Sequence, residues 1–210
     1  MVTRLELVHK KGYLHRDLKP QNMLAGVGKK EEIFYLIDFG LAKRFIDPKT
    51  GEHISFKKKK GITGTPNYLS LSTHRGCEHS RRDDLESLCL CMIYFLRGSL
   101  PWDIPKPRHI PVDIKDPKAF DKRELNIKNI YDWKRKCLMA KKNATVDELC
   151  DTFPVQFNEF FKYCRDLDFE ETPDYDFLKS LLKLVMVENE IDSYDHDWAW
   201  VAHKRQRLVD

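Results

Sequence analysis

The residues of this sequence that are best suited to chemistry lie near its start, in the stretch YLHRDLKPQNML at positions 13 to 24. Asp17 precedes Lys19 by two positions and Asn22 by five. A carboxylate can orient an attacking hydroxyl and take its proton, and an ammonium can spread the charge of a transferring phosphoryl group. An amide oxygen can bind a hard cation such as magnesium. Together these side chains predict phosphoryl-transfer chemistry, with Asp17 as the base.

A second acidic residue follows sixteen positions after Asn22, in Asp38-Phe39-Gly40. The apolar run from Ile33 to Ile37 before it is typical of a short strand, so the carboxylate comes at a strand end. Gly40 lets the backbone turn away, because glycine tolerates conformations that other residues avoid. This arrangement predicts Asp38 as a second magnesium ligand that faces the phosphates of a nucleotide.

The rest of the sequence predicts a mainly α fold with a small β component (α+β) around these residues. Two short strands at 22–25 and 33–37 enclose a turn that contains glycine. A helix that is apolar on nearly all sides, at 83–96, should lie at the centre of the core. The segment 103–130 holds four prolines among many charges and is expected to be an extended insertion. We predict about five helices, at residues 2–11 and 83–96, after the capping box Thr145-x-x-Glu148, along the apolar stripe 157–167, and behind Pro173 as first helical residue.

Length and composition place the chain among globular proteins of one domain, or of one domain with a tail. It has 210 residues, of which 41% are hydrophobic and 33% are charged, with a net charge of only +4. The six cysteines include no CxxC pair and no secretory leader opens the sequence, which favours reduced thiols. We therefore expect the protein in the cytoplasm, in the nucleus, or in both compartments. The longest apolar run, Leu88 to Leu96, is too short to cross a membrane, so no membrane partner is expected.

Three basic runs, Lys57 to Lys60, Lys134 to Lys136 and Lys141-Lys142, are expected to be solvated loop or helix faces. Aromatic residues that could stack on bases do not interleave with the first run, which argues against a nucleic-acid partner.

The combination of HRDLKPQN and DFG resembles the catalytic core of protein kinases, and Lys19 fits the serine/threonine pattern rather than the tyrosine pattern. The resemblance implies ATP and Mg²⁺ as cofactors and transfer of the ATP γ-phosphate to protein substrates. It implies a helical C-terminal kinase lobe over residues 1–200 with a short β-hairpin, a catalytic loop at 13–25, an activation segment at 38–73, and a basic tail at 201–210. The residue roles that it implies are catalysis by Asp17, Lys19 and Thr65, ATP binding by Asn22, Leu24, Ile37 and Asp38, metal binding by Asn22 and Asp38, and structural support from His15, Arg16, Phe39, Gly40 and Asp84.

Several longer stretches resemble the casein kinase 1 family in particular. They are the spacing of 21 positions from Asp17 to Asp38 with GVGKK inside it, SRRDDLESL at 80–88, GSLPW at 98–102, FEETPDY at 169–175, and the closing Ser193-Tyr194-Asp195 and Asp197-Trp198. The resemblance spans nearly the whole chain except 103–130. It implies acidic or already phosphorylated serine/threonine substrates, with Lys134 as an anion-binding residue.

Two positions depart from that family pattern. Asn67 stands where the family has an arginine, and an amide cannot make the bidentate contact by which arginine binds phosphate. Ser70-Leu71-Ser72 stands where most kinases have Ala-Pro-Glu and this family has Ser-Ile-Asn. The first departure puts recognition of phosphorylated substrates in doubt.

The sequence contains no GxGxxG motif, and only fourteen residues precede His15. We therefore expect the N-terminal strand-rich lobe, which covers the phosphates in kinases, to be absent, and the chain to be inactive alone. An apolar face where that lobe would pack should then attract a partner. Two alternatives to catalysis remain open: a non-catalytic binding or decoy module for acidic or phosphorylated proteins, and a nucleic-acid binder that uses the basic runs.

Overall fold

A computed structural model describes residues 1–113 and 115–191 of the chain. Within these residues there are seven α-helices and four short strands, which confirms the mainly α class with a small hairpin. The helices are α1 (Val2–Lys10), α2 (Leu71–His74), α3 (Arg81–Arg97), α4 (Ala119–Asn143), α5 (Val146–Cys150), α6 (Val155–Asp166) and α7 (Tyr175–Glu188), and the strands are β1 (Tyr13–Leu14), β2 (Met23–Ala25), β3 (Phe34–Leu36) and β4 (Lys43–Arg44). The motifs Ser193-Tyr194-Asp195 and Asp197-Trp198 and the tail 201–210 lie outside the described residues.

The core is built around α3, as its apolar sequence predicts. The helix begins at a capping box in which the backbone N–H of Ser80 donates to the Asp83 carboxylate at 2.8 Å, and it ends at Gly98, whose φ is 80°. Helices α1 and α6 pack against it, and Leu85 of α3 and Phe160 of α6 are completely buried in the shared core. Each such side chain contributes on the order of 2 kcal/mol through burial. α3 therefore forms a rigid base for the loops that approach its N-terminal end.

The three C-terminal helices follow the predicted pattern with one correction. The capping box is present at the start of α5, where Thr145 and Glu148 bond each other's backbone N–H groups. Pro173 is not the first residue of α7, because the carboxylate of Asp174 caps the helix by accepting from the N–H of Phe177 at 2.8 Å. The helix accordingly begins one residue after the cap.

The prediction of an extended insertion over 103–130 is wrong in its second half. Residues 119–130 are the first turns of α4, a helix of 25 residues that continues to Asn143. Proline interrupts helices because it lacks an N–H, and the last proline of the segment is Pro117. The irregular part of the segment therefore ends at Lys118, directly before the helix.

Two small antiparallel sheets hold the loops that carry the predicted site residues. The predicted hairpin is present, with Met23 of β2 opposite Leu36 of β3. A second pair was not predicted: Tyr13 of β1 lies opposite Arg44 of β4. Strands β1 and β4 have two residues each, too few to show an alternation of polar and apolar residues, and α2 has four residues, too few to show a helical period. These three elements could therefore not be predicted from the sequence pattern.

Other sequence expectations can be compared with the described residues. Cys89 and Cys91 are buried, all six cysteines are free thiols, and the run Lys57 to Lys60 is exposed as expected. None of the helices in the described part of the chain combines the length and apolarity that a membrane crossing requires.

Candidate active site

The loop between β1 and β2 holds the Asp17 carboxylate between two donors. The Thr65 hydroxyl donates to Asp17 Oδ1 at 2.7 Å, and Lys19 Nζ donates to Oδ2 at 2.6 Å. The Asn22 side-chain amide donates to the backbone carbonyl of Asp17 at 2.9 Å, which closes the loop. The structure thus brings together the predicted base, the predicted phosphate-side lysine and a residue from 48 positions further along the chain.

The environment of Asp17 favours its ionised form. Burial raises the pKa of this carboxyl, but the hydrogen bonds from Lys19 and Thr65 lower it by more, and the resulting pKa lies below the ordinary value. An ionised carboxylate that is held on both oxygens has a fixed orientation. It can accept a hydrogen bond from a further hydroxyl, because each oxygen has two lone pairs.

Asp84, on α3, fixes the backbone of the loop that carries Asp17. Its carboxylate is completely buried and accepts from the backbone N–H groups of His15 at 2.8 Å and Arg16 at 2.9 Å. His9 of α1 adds a side-chain contact, with Nε2 donating to Asp84 at 3.0 Å and Nδ1 against the Tyr175 hydroxyl at 2.6 Å. Arg16 has a φ of 67°, a left-handed conformation that is costly for a residue with a side chain. The two N–H bonds to Asp84 hold it in this conformation.

The predicted magnesium ligands come at the same end of the β2–β3 hairpin. Asn22 directly precedes β2 and Asp38 follows β3, and the N–H of Ile37 donates to the Asn22 carbonyl at 3.0 Å, which extends the ladder to this end. Asp38 is exposed at a φ of 62°, and its Oδ1 accepts from the Gly40 N–H at 3.2 Å. Because the Asn22 amide N–H is used by the loop, its oxygen is the atom left for a cation. One amide oxygen and one carboxylate are oxygen donors of the kind that suits Mg²⁺.

His15 joins the two predicted motifs. Its ring Nε2 donates to the Ile37 carbonyl at 2.9 Å, and the ring packs edge-on against Phe39 with centroids 5.0 Å apart. The Nε of Arg16 donates to the Leu41 carbonyl at 2.7 Å. These contacts tie the loop around Asp17 to the turn around Gly40.

The surface above this loop is apolar and open to solvent. Leu24, Ile37 and Phe39, all predicted to lie at the nucleotide or to support it, are 46%, 37% and 48% exposed. A groove lined by Phe39, Leu7 and Tyr13 continues this surface. An exposed apolar area of this kind marks a surface that binds a ligand or a partner.

A segment at 64–69, which we call the floor segment, supports the base from the other side. The Thr65 carbonyl accepts from the N–H groups of Tyr68 at 2.9 Å and Leu69 at 3.2 Å, which makes a tight turn. Gly64 has a φ of 103° and lies so close to the Arg16 carbonyl that a Cβ would approach it to 2.6 Å. A glycine is therefore required for the segment to lie against the catalytic loop.

Lys141 is buried, contrary to the expectation that Lys141-Lys142 is a solvated run. The side chain is buried, and Nζ donates to the carbonyls of Pro66 at 2.6 Å and Leu69 at 2.5 Å in the floor segment. Burial lowers the pKa of this ammonium to about 7. The sequence contains one signal for the burial of Lys141. Residues four apart lie on the same face of a helix, and Lys141 follows Cys137 by four residues; both side chains are buried.

A cavity of about 620 Å³ opens beside Thr65, and basic side chains surround it. We call it the basic cavity. Lys134 of α4 lines it, as does Lys106 together with Arg108 from the irregular segment before α4. None of the three forms an ion pair within the described residues. The structure thus puts Lys134 near Thr65 and adds two cations that sequence analysis did not single out.

Asn67, the departure noted above, takes no part in that cavity lining. Its side-chain amide donates to Asp103 at 2.8 Å, and its backbone carbonyl accepts from the Trp102 indole at 2.8 Å. The side chain is therefore committed to the segment that precedes α4.

A family model described as a protein kinase domain matches residues 1–186.

Proposed function

Because the chain belongs to the protein kinase family, we propose that it transfers the γ-phosphate of ATP to serine or threonine of acidic or phosphorylated proteins, as an enzyme of casein kinase 1 type. The observation that carries this proposal is the Asp17 carboxylate held between Lys19 and Thr65. A role in binding alone would not need such a group, since a binder has no proton to accept.

In the proposed reaction, the substrate hydroxyl oxygen forms a bond to the γ-phosphorus while the bond from that phosphorus to the bridging oxygen of ADP breaks. Asp17 orients the hydroxyl and takes its proton late in the step. Lys19 lies beside Asp17 and offsets the negative charge of the transferring group. Thr65 keeps the carboxylate aimed, and its own position beside the basic cavity supports a role in seating the substrate.

Asn22 and Asp38 are the residues we propose for Mg²⁺, and Leu24 and Ile37 for an apolar contact with ATP. Magnesium, when bound, neutralises charge on the phosphates. Protein kinases also cover the phosphates with a glycine-rich loop from a strand-rich lobe, and the described residues form no such lobe. We propose that this lobe, or a partner that replaces it, packs on the exposed apolar surface around Leu24 and Phe39.

The basic cavity supports the proposed preference for acidic or phosphorylated substrates. Lys106, Arg108 and Lys134 surround it without carboxylate partners among the described residues, so an anionic side chain of a substrate would be paired there. Asn67 cannot supply this charge. The preference is therefore proposed to depend on Lys134 of α4 and on the segment before α4, rather than on the floor segment. The free thiols support a cytoplasmic or nuclear location.

The experiment that tests this function measures phosphate transfer from ATP to an acidic serine peptide, with Mg²⁺. We expect no measurable turnover by the chain alone. We expect turnover when a strand-rich lobe of a casein kinase 1 enzyme is fused to its start. Asp17→Asn should abolish that turnover, whereas Asp168→Asn, an exposed site outside the helices, should not change it.

The same fusion tests the substrate class. Lys134→Ala and Lys106→Ala should each lower kcat/KM for the acidic peptide roughly twofold to tenfold and leave a neutral peptide unaffected. A folded fusion that binds ATP but shows no Asp17-dependent turnover would refute the enzyme. Peptide binding that persists in such a fusion would support the non-catalytic binding module instead, which the basic cavity could serve without ATP.

A further inference from the structure

Lys141 has its amino group in a place where the charged form is costly. It is only 2% exposed, and within the described residues its ammonium forms no ion pair with a carboxylate. Its partners are two backbone carbonyls, Pro66 at 2.6 Å and Leu69 at 2.5 Å, and the face of the Trp102 ring at 5.3 Å. A lysine that is fully desolvated requires compensating contacts, and here the floor segment supplies them.

The two carbonyls have few other contacts. No further donor to the Pro66 or Leu69 carbonyl is found in the part of the chain that the structure describes. An unpaired carbonyl in the interior is unfavourable, so Lys141 and the floor segment depend on each other. Lys141 comes from α4, which makes no other hydrogen bond to this segment in the described residues.

Direct contacts lead from Lys141 to the base. Both carbonyls that it binds belong to the turn in which Tyr68 and Leu69 donate to the Thr65 carbonyl: Pro66 directly follows Thr65, and Leu69 ends the turn. The hydroxyl of the same Thr65 donates to Asp17 at 2.7 Å. One buried amino group therefore holds two carbonyls of the turn whose first residue, Thr65, orients the proposed base.

We propose that Lys141 is a positioning residue for phosphoryl transfer, which fixes the floor segment so that the Thr65 hydroxyl stays on the Asp17 carboxylate. The catalytic meaning of this inference rests on the proposed function, whereas the mechanical coupling between Lys141 and Thr65 does not. Lys141 touches neither substrate nor Asp17 in this role. It acts through the floor segment alone.

The coupling is tested on the full chain with Lys141→Met, which keeps an unbranched side chain that is one atom shorter and removes the donor. Lys142→Met, at the exposed neighbouring position, is the matched control. Hydrogen exchange of the Tyr68 and Leu69 amides should become roughly tenfold to a hundredfold faster in Lys141→Met, while amides of α6 keep their rates. The Thr65 methyl group, observed by NMR, should change from one side-chain rotamer to an average of several.

A merely structural role predicts a different result, because global destabilisation speeds exchange in α6 as much as in the floor segment. That outcome, or an unchanged Thr65 rotamer in Lys141→Met, would overturn the proposal. If the methionine variant does not fold, Lys141→Gln, which keeps a neutral donor on a shorter side chain, is judged by the same two readouts.

The catalytic arm uses the fusion that turns over. Lys141→Met should lower kcat at least about tenfold with the KM for ATP unchanged, and it should lower kcat no further when Thr65→Val is already present. Additive losses would show that Lys141 acts by another route and refute the inference. A coupling seen by NMR and exchange in a protein without any turnover would instead refute the proposed function and leave the coupling intact.

Discussion

Replacing Asp84 by asparagine should release the catalytic loop from the core. In the wild-type protein, Oδ2 accepts from the His15 N–H and from His9, and Oδ1 accepts from the Arg16 N–H. The asparagine side chain has one acceptor oxygen and one NH₂ group, which only donates. In either orientation of the side chain, this NH₂ group must therefore face at least one of the N–H groups that the carboxylate accepted from. Because the site is completely buried, water cannot relieve this conflict, and we expect a loss of roughly 3 kcal/mol in the free energy of unfolding at neutral pH.

Part of this stability depends on pH, and its sign follows from the pKa of Asp84. Burial raises that pKa, but the hydrogen bond from His9 and the nearby charges lower it from 3.8 to about 2. A carboxyl with a lower pKa in the folded state stabilises the protein fully above pH 4 or so. This contribution, roughly 2 kcal/mol, is lost as the pH falls from about 4 to about 2.

Equilibrium urea unfolding followed by circular dichroism measures both effects, at pH values from about 7 to about 3. Asp168→Asn, an exposed aspartate outside the helices, serves as control and should change stability by less than about 0.5 kcal/mol. The stability of Asp84→Asn should depend less on pH below about 4 than that of the wild type. Equal stabilities of the Asp84 and Asp168 variants at neutral pH would refute this account of the catalytic loop.

Two further substitutions test the floor segment by the same unfolding measurement. Gly64→Ala should cost roughly 2 to 4 kcal/mol, because it adds a Cβ at 2.6 Å from a backbone carbonyl to an unfavourable φ, whereas Gly51→Ala, with a φ of 74° and open space around it, should cost only about 1 kcal/mol. Equal costs would show that the close approach is not tight. Trp102→Phe should cost about 1 to 2 kcal/mol, because it removes the indole bond to the floor segment and weakens the ring face over the buried lysine. Trp133→Phe, which also loses an indole bond of 2.8 Å but no lysine contact, should cost less, and the reverse order would contradict the assigned role of the ring.

The sequence predicted those parts of the site in which residue type and local spacing carry the information. Asp17, Lys19 and Asn22 lie within one loop, and Asp38 follows a strand that pairs next to Asn22, so the spacing alone indicated their proximity. The central helix at 83–96 was also predictable, because its apolar character is continuous. Both features depend on residues that are close in the chain or strongly patterned.

Contacts between distant segments were not predictable in the same way. Lys141 reads as a surface lysine next to Lys142, and only the packing of α4 against the floor segment turns one of the pair inward. The pairing of Asn67 with Asp103 and the approach of Lys106 to the basic cavity likewise depend on how the segment before α4 folds back. A single sequence carries no local signal for such tertiary choices.

Helix α4 connects the two parts of the proposed substrate site, which are the basic cavity and the floor segment. It therefore also determines how these two parts can vary. Lys134 at the basic cavity and Lys141 beneath the floor segment are seven residues apart, or about two helical turns and roughly 10 Å along one face. A rigid helix keeps that spacing constant whatever precedes it. Substitutions, insertions or deletions before Ala119 could therefore alter which anionic groups are accepted, while the distance from Lys134 to the support of the base stays the same. Substrate preference and catalytic alignment can thus change independently in this protein.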